Sequence, residues 1–263
     1  MARGSLGLAG SLVLLIVAAT SVAAHGKVAL VVGDLGGNGT ALAIRGGVVP
    51  GDGPNRKTEV DTTVFEVEEA MTNGLGRTQA GGAVHVADLK RAMALSGGVL
   101  PQVSSTGGVI SGTFHVVTTD GAGPLRAILD PTATGAFSEG TELQVLQQVP
   151  GSEGTIRRNG RVPRLRNGAR SLARRAGLLS KRAANVNLDF PMSFALPTGT
   201  SCQGTVEGIR NVCLVKIANS NAAGPFGGIV AIQVPQAGAK AGNVTPPQQR
   251  PKVSRKYPSV VNS

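Results

Sequence analysis

Aromatic residues and cysteine are scarce in this 263-residue chain, which has no Trp, one Tyr, six Phe and two Cys. So few rings argue against a flat aromatic ligand-binding face, and two cysteines cannot form a disulfide-dense scaffold or a four-cysteine zinc site. Glycine, by contrast, occurs 38 times. Because Gly in a helix interior costs about 1 kcal/mol relative to Ala, this content argues against a helical bundle.

The net charge of +11 comes from two segments of the chain. Residues 157–182 hold ten Lys or Arg and no acid, and residues 237–263 hold five and no acid. Once Arg3 is also set aside, ten basic residues remain against all fifteen acidic ones. A specific nucleic-acid-binding protein carries its positive charge on its folded surface. We therefore expect no specific nucleic-acid binding.

The chain begins with the pattern of a secretory leader. Arg3 precedes an apolar run at residues 12–19, and small residues follow up to Ala24. The run is shorter than the roughly 20 residues that a membrane-spanning helix needs. We predict a signal peptide at residues 1–24, an extracellular location and no membrane partner. Cleavage after Ala23 is the alternative.

Secretion has two consequences for the mature chain. An oxidising compartment allows Cys202 and Cys213 to form a disulfide bond. It also makes Asn38 and Asn243, each in an Asn-x-Thr sequence, candidate glycosylation sites.

Short β-branched segments separated by Gly and Pro turns predict an all-β fold. Strand candidates cover residues 27–33, 62–67 (strand or helix start), 109–118, 125–129, 142–149, 212–218 and 229–234, and a short helix is predicted over 87–95. The segments 109–118 and 125–129 are expected to pair as a hairpin. We predict an immunoglobulin-like β-sandwich with long loops over residues 25–236.

The two basic segments differ from this pattern. Residues 157–182 are dotted with Gly and Asn and lack a hydrophobic period, so we predict a solvated basic insertion in the sandwich. Dibasic pairs at residues 174–175 and 181–182 are candidate processing sites, with an uncut loop as the alternative. Residues 237–263 are rich in Pro, Lys and Gln and predict a disordered basic tail.

Common catalytic motifs are missing, since the sequence has no GxSxG, HExxH or CxxC pattern. The acidic residues Glu66, Glu68 and Glu69 fit a solvated face better than a glycosidase pair, whose carboxyl groups face one cleft. No catalytic residue is therefore assigned.

The three histidines carry the remaining chemistry. Cleavage after Ala24 makes His25 the first residue, which offers its amine and a ring nitrogen as ligands. A second histidine would supply a third nitrogen, a set that suits Cu(II). His115, in the clearest strand, is the candidate, and His85 is its rival. In the alternative interpretation, His25 simply follows the signal peptide and is solvated.

Three stretches resemble the fungal appressorium-specific virulence proteins, the Egh-like family. They are Ala24-His25-Gly26, the Phe-His-x-Val-x-x-Asp-Gly-Ala-Gly-Pro of residues 114–124, and the Cys-x-Gly-Thr-Val to Gly-Pro-Phe-Gly-Gly block of residues 202–228. The resemblance covers roughly residues 24–236 and implies a secreted virulence factor of appressorium-mediated host penetration. Such proteins distantly resemble the copper-dependent lytic polysaccharide monooxygenases, which implies His25 and His115 as copper ligands.

Two departures from these families are visible. Ile217 and Ile229 stand where some relatives have Cys, which implies the loss of one disulfide. The only Tyr, Tyr257, lies in the tail, so Phe226 is the candidate neighbour of the copper, with a core position as its alternative. This scarcity of rings counts against cleavage of crystalline polysaccharide more than against copper binding.

Three functions follow as hypotheses. The first is a virulence factor of host penetration, secreted or retained within the infection structure. The second is a copper-dependent oxidative enzyme acting on host-surface or wall polysaccharide. The third is a non-catalytic protein that binds host or fungal wall polysaccharide, its basic insertion contacting acidic polymers. In each case we expect a monomer.

Overall fold

The computed structural model describes residues 26–45, 59–163, 183–222 and 224–235. The strands are β1 (Gly26–Gly33), β2 (Gly36–Gly39), β3 (Thr63–Val64), β4 (Arg77–Thr78), β5 (Gly82–Ala83), β6 (Val109–Thr118), β7 (Leu125–Asp130), β8 (Thr141–Glu142), β9 (Gln144–Gln147), β10 (Asn185–Ala195), β11 (Gly204–Val206), β12 (Ile209–Asn219) and β13 (Phe226–Gln233). These described ranges also contain the helix α1 (Leu89–Ser96) and 3₁₀ turns at Glu59–Asp61, Val86–Asp88 and Phe137–Glu139.

The strands form two antiparallel sheets. The five-stranded sheet has the order β2-β1-β6-β10-β9, and the eight-stranded sheet has the order β5-β4-β3-β13-β12-β7-β8, with β11 beside β12. The predicted all-β sandwich is therefore confirmed. Its immunoglobulin-like character stays a prediction.

Strand β12 shows how the sandwich is packed. Cys213, Val215 and Ile217 face the core between the sheets. Leu214 and Ala218, on the opposite face, pack into a second apolar cluster with the rings of Phe65 and Phe137. Because both faces of β12 are covered there, residues 212–218 are apolar except for Lys216 rather than alternating.

The predicted hairpin of residues 109–118 and 125–129 is wrong. Strand β6 lies between β1 and β10 in the five-stranded sheet, whereas β7 lies between β12 and β8 in the other. The intervening residues cross between the sheets: the N–H of Ala122 donates to the oxygen of Gly154, and its own oxygen accepts from Asn219 Nδ2. Strands β6 and β7 therefore cannot pair with each other, because other strands already pair with both edges of each.

The single strand predicted over residues 142–149 is divided in two. Strand β8 belongs to the eight-stranded sheet and β9 to the five-stranded sheet. Between them, Leu143 is 2% exposed and is part of the core between the sheets. The chain thus passes from one sheet to the other at the buried Leu143.

The predicted helix is confirmed close to its expected place. Helix α1 ends at Ser96, and Gly97 follows it with a left-handed φ of 115°. The N–H of Gly97 donates to the oxygen of Met93 at 3.0 Å. A glycine in this conformation is the usual helix C-terminal cap.

Asp130 organises the loop that follows β7. Its buried carboxylate accepts hydrogen bonds from the Thr132 hydroxyl (2.6 Å) and from the N–H groups of Thr132 (2.8 Å), Thr134 (2.9 Å) and Gly135 (2.7 Å). Burial raises the pKa of Asp130, but these hydrogen bonds outweigh burial and hold the pKa below its ordinary value. The charged carboxylate is thus part of the native fold.

Several sequence predictions fall outside the described residues. They are the leader at residues 1–24, the candidate ligand His25, the glycosylation site Asn243, most of the basic insertion (164–182), and the tail at 237–263 with Tyr257. Only residues 157–163 of the insertion are described, and Arg157, Arg158 and Arg161 there are exposed.

Candidate functional site

His115 lies in the middle strand of the five-stranded sheet and points away from the sandwich core. Its neighbours Phe114 and Val116 both face that core, so strand alternation directs His115 to the opposite face. On this face the register places Lys27 of β1 on one side of His115 and Asp189 of β10 on the other. His115 and Lys27 are nevertheless buried, at 0% and 2% exposed.

A carboxylate holds the imidazole of His115. Asp189 Oδ1 lies 2.7 Å from His115 Nδ1. The side chain of Asp189 is 37% exposed, whereas that of His115 is inaccessible. The pair therefore links a buried imidazole to the protein surface.

Lys27 extends this row to the 3₁₀ turn Glu59–Asp61. Its Nζ lies 3.9 Å from Asp61 Oδ2, and Asp61 Oδ1 accepts a hydrogen bond from the N–H of Arg45. Burial lowers the pKa of Lys27, while the carboxylates of Asp61 and Asp189 oppose the shift. The row thus joins three buried groups, an imidazole, an amine and the Asp61 carboxylate, to the partly exposed carboxylate of Asp189.

The other ring nitrogen of His115 has a chemical consequence. Nε2 is buried and has no hydrogen-bond partner in the part of the chain that the structure describes. When Nδ1 is protonated and donates its hydrogen bond to Asp189, Nε2 presents a lone pair. A histidine held by a carboxylate at one nitrogen and open at the other matches the usual arrangement of a metal-binding histidine.

His115 therefore fits a metal ligand, but the described residues do not complete a metal site. Among them, no three His, Cys, Asp or Glu residues are grouped to hold a metal ion. Further ligands would have to come from residues outside the described ranges. The sequence candidate His25 is one of those residues, and the described chain begins directly after it with Gly26, which pairs with Val116.

The other sequence candidates do not join His115. His85 is exposed after β5, at the end of the eight-stranded sheet, where its N–H donates to Asp88 Oδ2. Phe226 is fully buried on β13 and by alternation shares the inner face with Val230. It thus has the core position given as its alternative, on the opposite side of the five-stranded sheet from His115.

The predicted disulfide is present. Cys202 and Cys213 are bonded, with 5.0 Å between their Cα atoms, and both are buried in the core between the sheets. The bond ties the segment before β11 to β12.

Replacing Cys202 and Cys213 together with Ser should lower the free energy of unfolding by about 3 kcal/mol, because the bond closes a short loop in the unfolded chain. Chemical denaturation of the oxidised wild type and the double variant measures the difference. Reduced wild type is the matched control and should resemble the variant. Two titratable thiols in the native protein would contradict the assignment.

Asn38 lies half-buried on β2, and the Thr40 of its sequence motif is 1% exposed. The Thr40 hydroxyl donates to the oxygen of Ala29 at 3.0 Å. Glycosylation at Asn38 stays a prediction.

The sequence analysis did not single out Lys216, which is buried on β12. Its Nζ donates to the oxygen of Thr72 at 2.9 Å and lies 4.6 Å from the ring centroid of Phe65 and 5.5 Å from that of Phe137. Burial lowers its pKa to about 8, with the carboxylate of Glu69 opposing the shift. The signal in the sequence is one lysine within the otherwise apolar run of residues 212–218.

Replacing Lys216 with Met should remove a pH dependence of stability. The folded-state pKa of about 8 lies below the ordinary value of 10.5, so folding disfavours the protonated amine. Wild-type stability should therefore rise between pH 8 and 10.5 relative to that of K216M. Parallel denaturation curves across this range test it, with the exposed Lys90→Met as control. A constant difference between wild type and K216M would contradict it.

Comparison with known proteins agrees with the resemblance seen in the sequence. The sequence model of the Egh16-like virulence factor family matches residues 23–227. Appressoria-specific virulence factor GAS1 of Pyricularia oryzae is 37% identical over 237 residues, which cover 89% of this chain and 79% of that protein. Appressoria-specific virulence factor GAS2 of the same species is 30% identical over 286 residues, covering 85% and 88%. No solved structure matches the chain.

Proposed function

Because this chain belongs to the Egh16-like virulence factor family, we propose that it is secreted and acts when a fungal appressorium penetrates its host. Family membership confirms the virulence role that the resemblance implied. The proposal that the protein acts at the appressorial stage rests on the names of the two relatives. The buried Cys202–Cys213 disulfide supports an oxidising, extracellular environment.

No helix in the described ranges is long and apolar enough to cross a membrane.

Deleting the gene in the fungus that carries it tests the proposal. We expect fewer lesions from appressoria that still form normally, and restoration by the full chain. A version lacking residues 2–24 is the matched control and should not restore virulence. Restoration by that version would overturn secretion in favour of action inside the infection structure. Normal lesions after deletion would overturn the virulence role for this chain.

A second candidate function rests on one observation, the unpartnered Nε2 of buried His115 beside Asp189. We propose that His115 Nε2 and the amine and ring of an N-terminal His25 hold copper. Asp189 fixes the ring of His115 so that Nε2 carries the lone pair. A copper ion held there would supply one-electron oxidation chemistry toward wall polysaccharide.

The residues around His115 support copper binding more than polysaccharide cleavage. Lys27 lies next to His115 in the register, and Asp61 and Asp189 balance its charge when it is protonated. The core position of Phe226 means that no aromatic ring among the described sequence candidates flanks the site. Copper binding is therefore better supported than cleavage of a crystalline polymer.

A further inference from the structure

We propose that the turn formed by residues 157–161 binds an acidic polysaccharide, a polymer of uronate sugars. The turn presents three exposed arginines, Arg157, Arg158 and Arg161. It is closed by hydrogen bonds from the N–H of Arg157 to the oxygen of Arg161 and from the N–H of Gly160 to the oxygen of Arg157, both at 2.9 Å. The three arginines are thus clustered on one folded turn.

The body of the protein holds this turn in place. On its N-terminal side, Ile156 is buried in the core between the sheets, and its N–H donates to the oxygen of Thr119 at 2.7 Å. At its other end, Gly160 adopts a φ of 75°, and a Cβ there would lie 2.9 Å from Leu188 Cδ1. The close approach fixes the turn against β10, so less ordering is needed when a ligand binds.

The three guanidinium groups are available to a partner. No ion pair joins any of them to a carboxylate within the described ranges, in contrast to Arg126, which contacts both Glu69 and Glu142. Glu153 is the one acidic residue between 151 and 163. The sequence continues with seven more Lys or Arg at residues 164–182 and no acid. Positive charge therefore dominates this part of the chain.

Arginine determines the chemical class of the partner. Nine of the ten basic residues in 157–182 are Arg. The planar guanidinium forms paired hydrogen bonds with carboxylates and phosphates, which a Lys ammonium does not. A polymer with repeated carboxylates would contact several arginines at once. The choice of a polyuronate over nucleic acid or lipid rests on the extracellular location proposed above.

The turn and the candidate site lie on different faces of β10. Gly160 packs against Leu188, which pairs with the core-facing Val116, whereas Asp189 pairs with His115 on the opposite face. Polymer binding at the arginines is therefore expected to be independent of the His115 site.

Binding of the purified mature protein to polygalacturonate, measured at several salt concentrations, tests the proposal. Changing Arg157, Arg158 and Arg161 together to Gln should weaken binding about 10-fold or more and reduce its salt dependence. The matched control changes Arg77, Arg91 and Arg210 to Gln. These three arginines are exposed and lie outside the turn. Their replacement removes the same amount of charge, so binding to polygalacturonate should fall much less.

Three results would overturn the proposal. The first is an equal loss in the control variant, which would show a net-charge effect only. The second is equal binding of fully methyl-esterified pectin, which lacks the carboxylates. The third is tighter binding of duplex DNA or phosphatidylserine vesicles at the same salt concentration. Because the assay uses purified protein, failure of secretion in the fungus would leave its result unchanged.

Discussion

Replacing His115 with Ala should lower the affinity of the mature protein for Cu(II) by at least about 100-fold. Outer partners of a metal-binding histidine contribute about 10- to 100-fold by themselves, so loss of the ligand costs at least the upper value. The Cu(II) affinity of Asp189→Asn should lie between those of wild type and H115A, since this substitution removes the carboxylate that holds His115 Nδ1. Calorimetric titration measures the affinities, and wild-type binding should weaken at acid pH because amine and imidazole ligands must be unprotonated.

Two controls separate this site from simple binding at a chain end. His85→Ala should leave the affinity unchanged, because His85 is exposed in the loop after β5, at the end of the other sheet. One extra residue before His25 should weaken binding strongly, because it removes the free amine while keeping both rings. Equal affinities in H115A and wild type would reject the copper site, and with it the enzyme hypothesis. A mature protein that begins at any other residue would do the same.

Replacing Asp130 with Asn should lower the free energy of unfolding by about 3 kcal/mol at pH 7. The substitution keeps the shape but removes a buried charge that accepts four strong hydrogen bonds, and its NH₂ group must face N–H donors. Because the folded-state pKa of Asp130 is lowered, its contribution is present at neutral pH. The contribution should disappear as pH falls below the ordinary value of 3.8.

Urea denaturation of D130N and wild type at pH 7 and at acid pH measures this difference. The exposed Glu68→Gln is the matched control, and its effect should stay within about 0.5 kcal/mol. A difference between wild type and D130N that does not shrink in acid would show that charge is not the cause.

Local sequence patterns predicted the strands better than their partners. The bounds of β6 follow directly from its β-branched residues, and the glycines after α1 indicate where the helix ends. The partners of β6 depend instead on β1 and β10, which are distant in sequence. The six residues between the predicted strands 109–118 and 125–129 fit a hairpin equally well, but in the fold Ala122 and Leu125 are buried where the chain crosses to the second sheet.

The same limit applies to the candidate site. His115 was singled out as a histidine in a strand and by its resemblance to a family motif. Asp189 and Lys27 acquire a role only through the register, which places them on either side of His115 although they lie 74 and 88 positions from it in the sequence. Charged residues such as Lys216 and Asp130 are expected on a surface. Asp130 is held by the loop that directly follows it, whereas Lys216 is buried by distant residues such as Thr72, which no local pattern indicates.

The order of strands in the two sheets also has a consequence for how the chain folds during export. Strand β6 needs β10, β7 needs β12 and β3 needs β13, so neither sheet is complete until the last strands have been synthesised. Sheets built from such distant partners form slowly, because the loops between them must close first. On the secretory route proposed above, both sheets would therefore lack strands until residues 185–233 have followed, and we expect a truncation before β13 to be retained and degraded rather than exported.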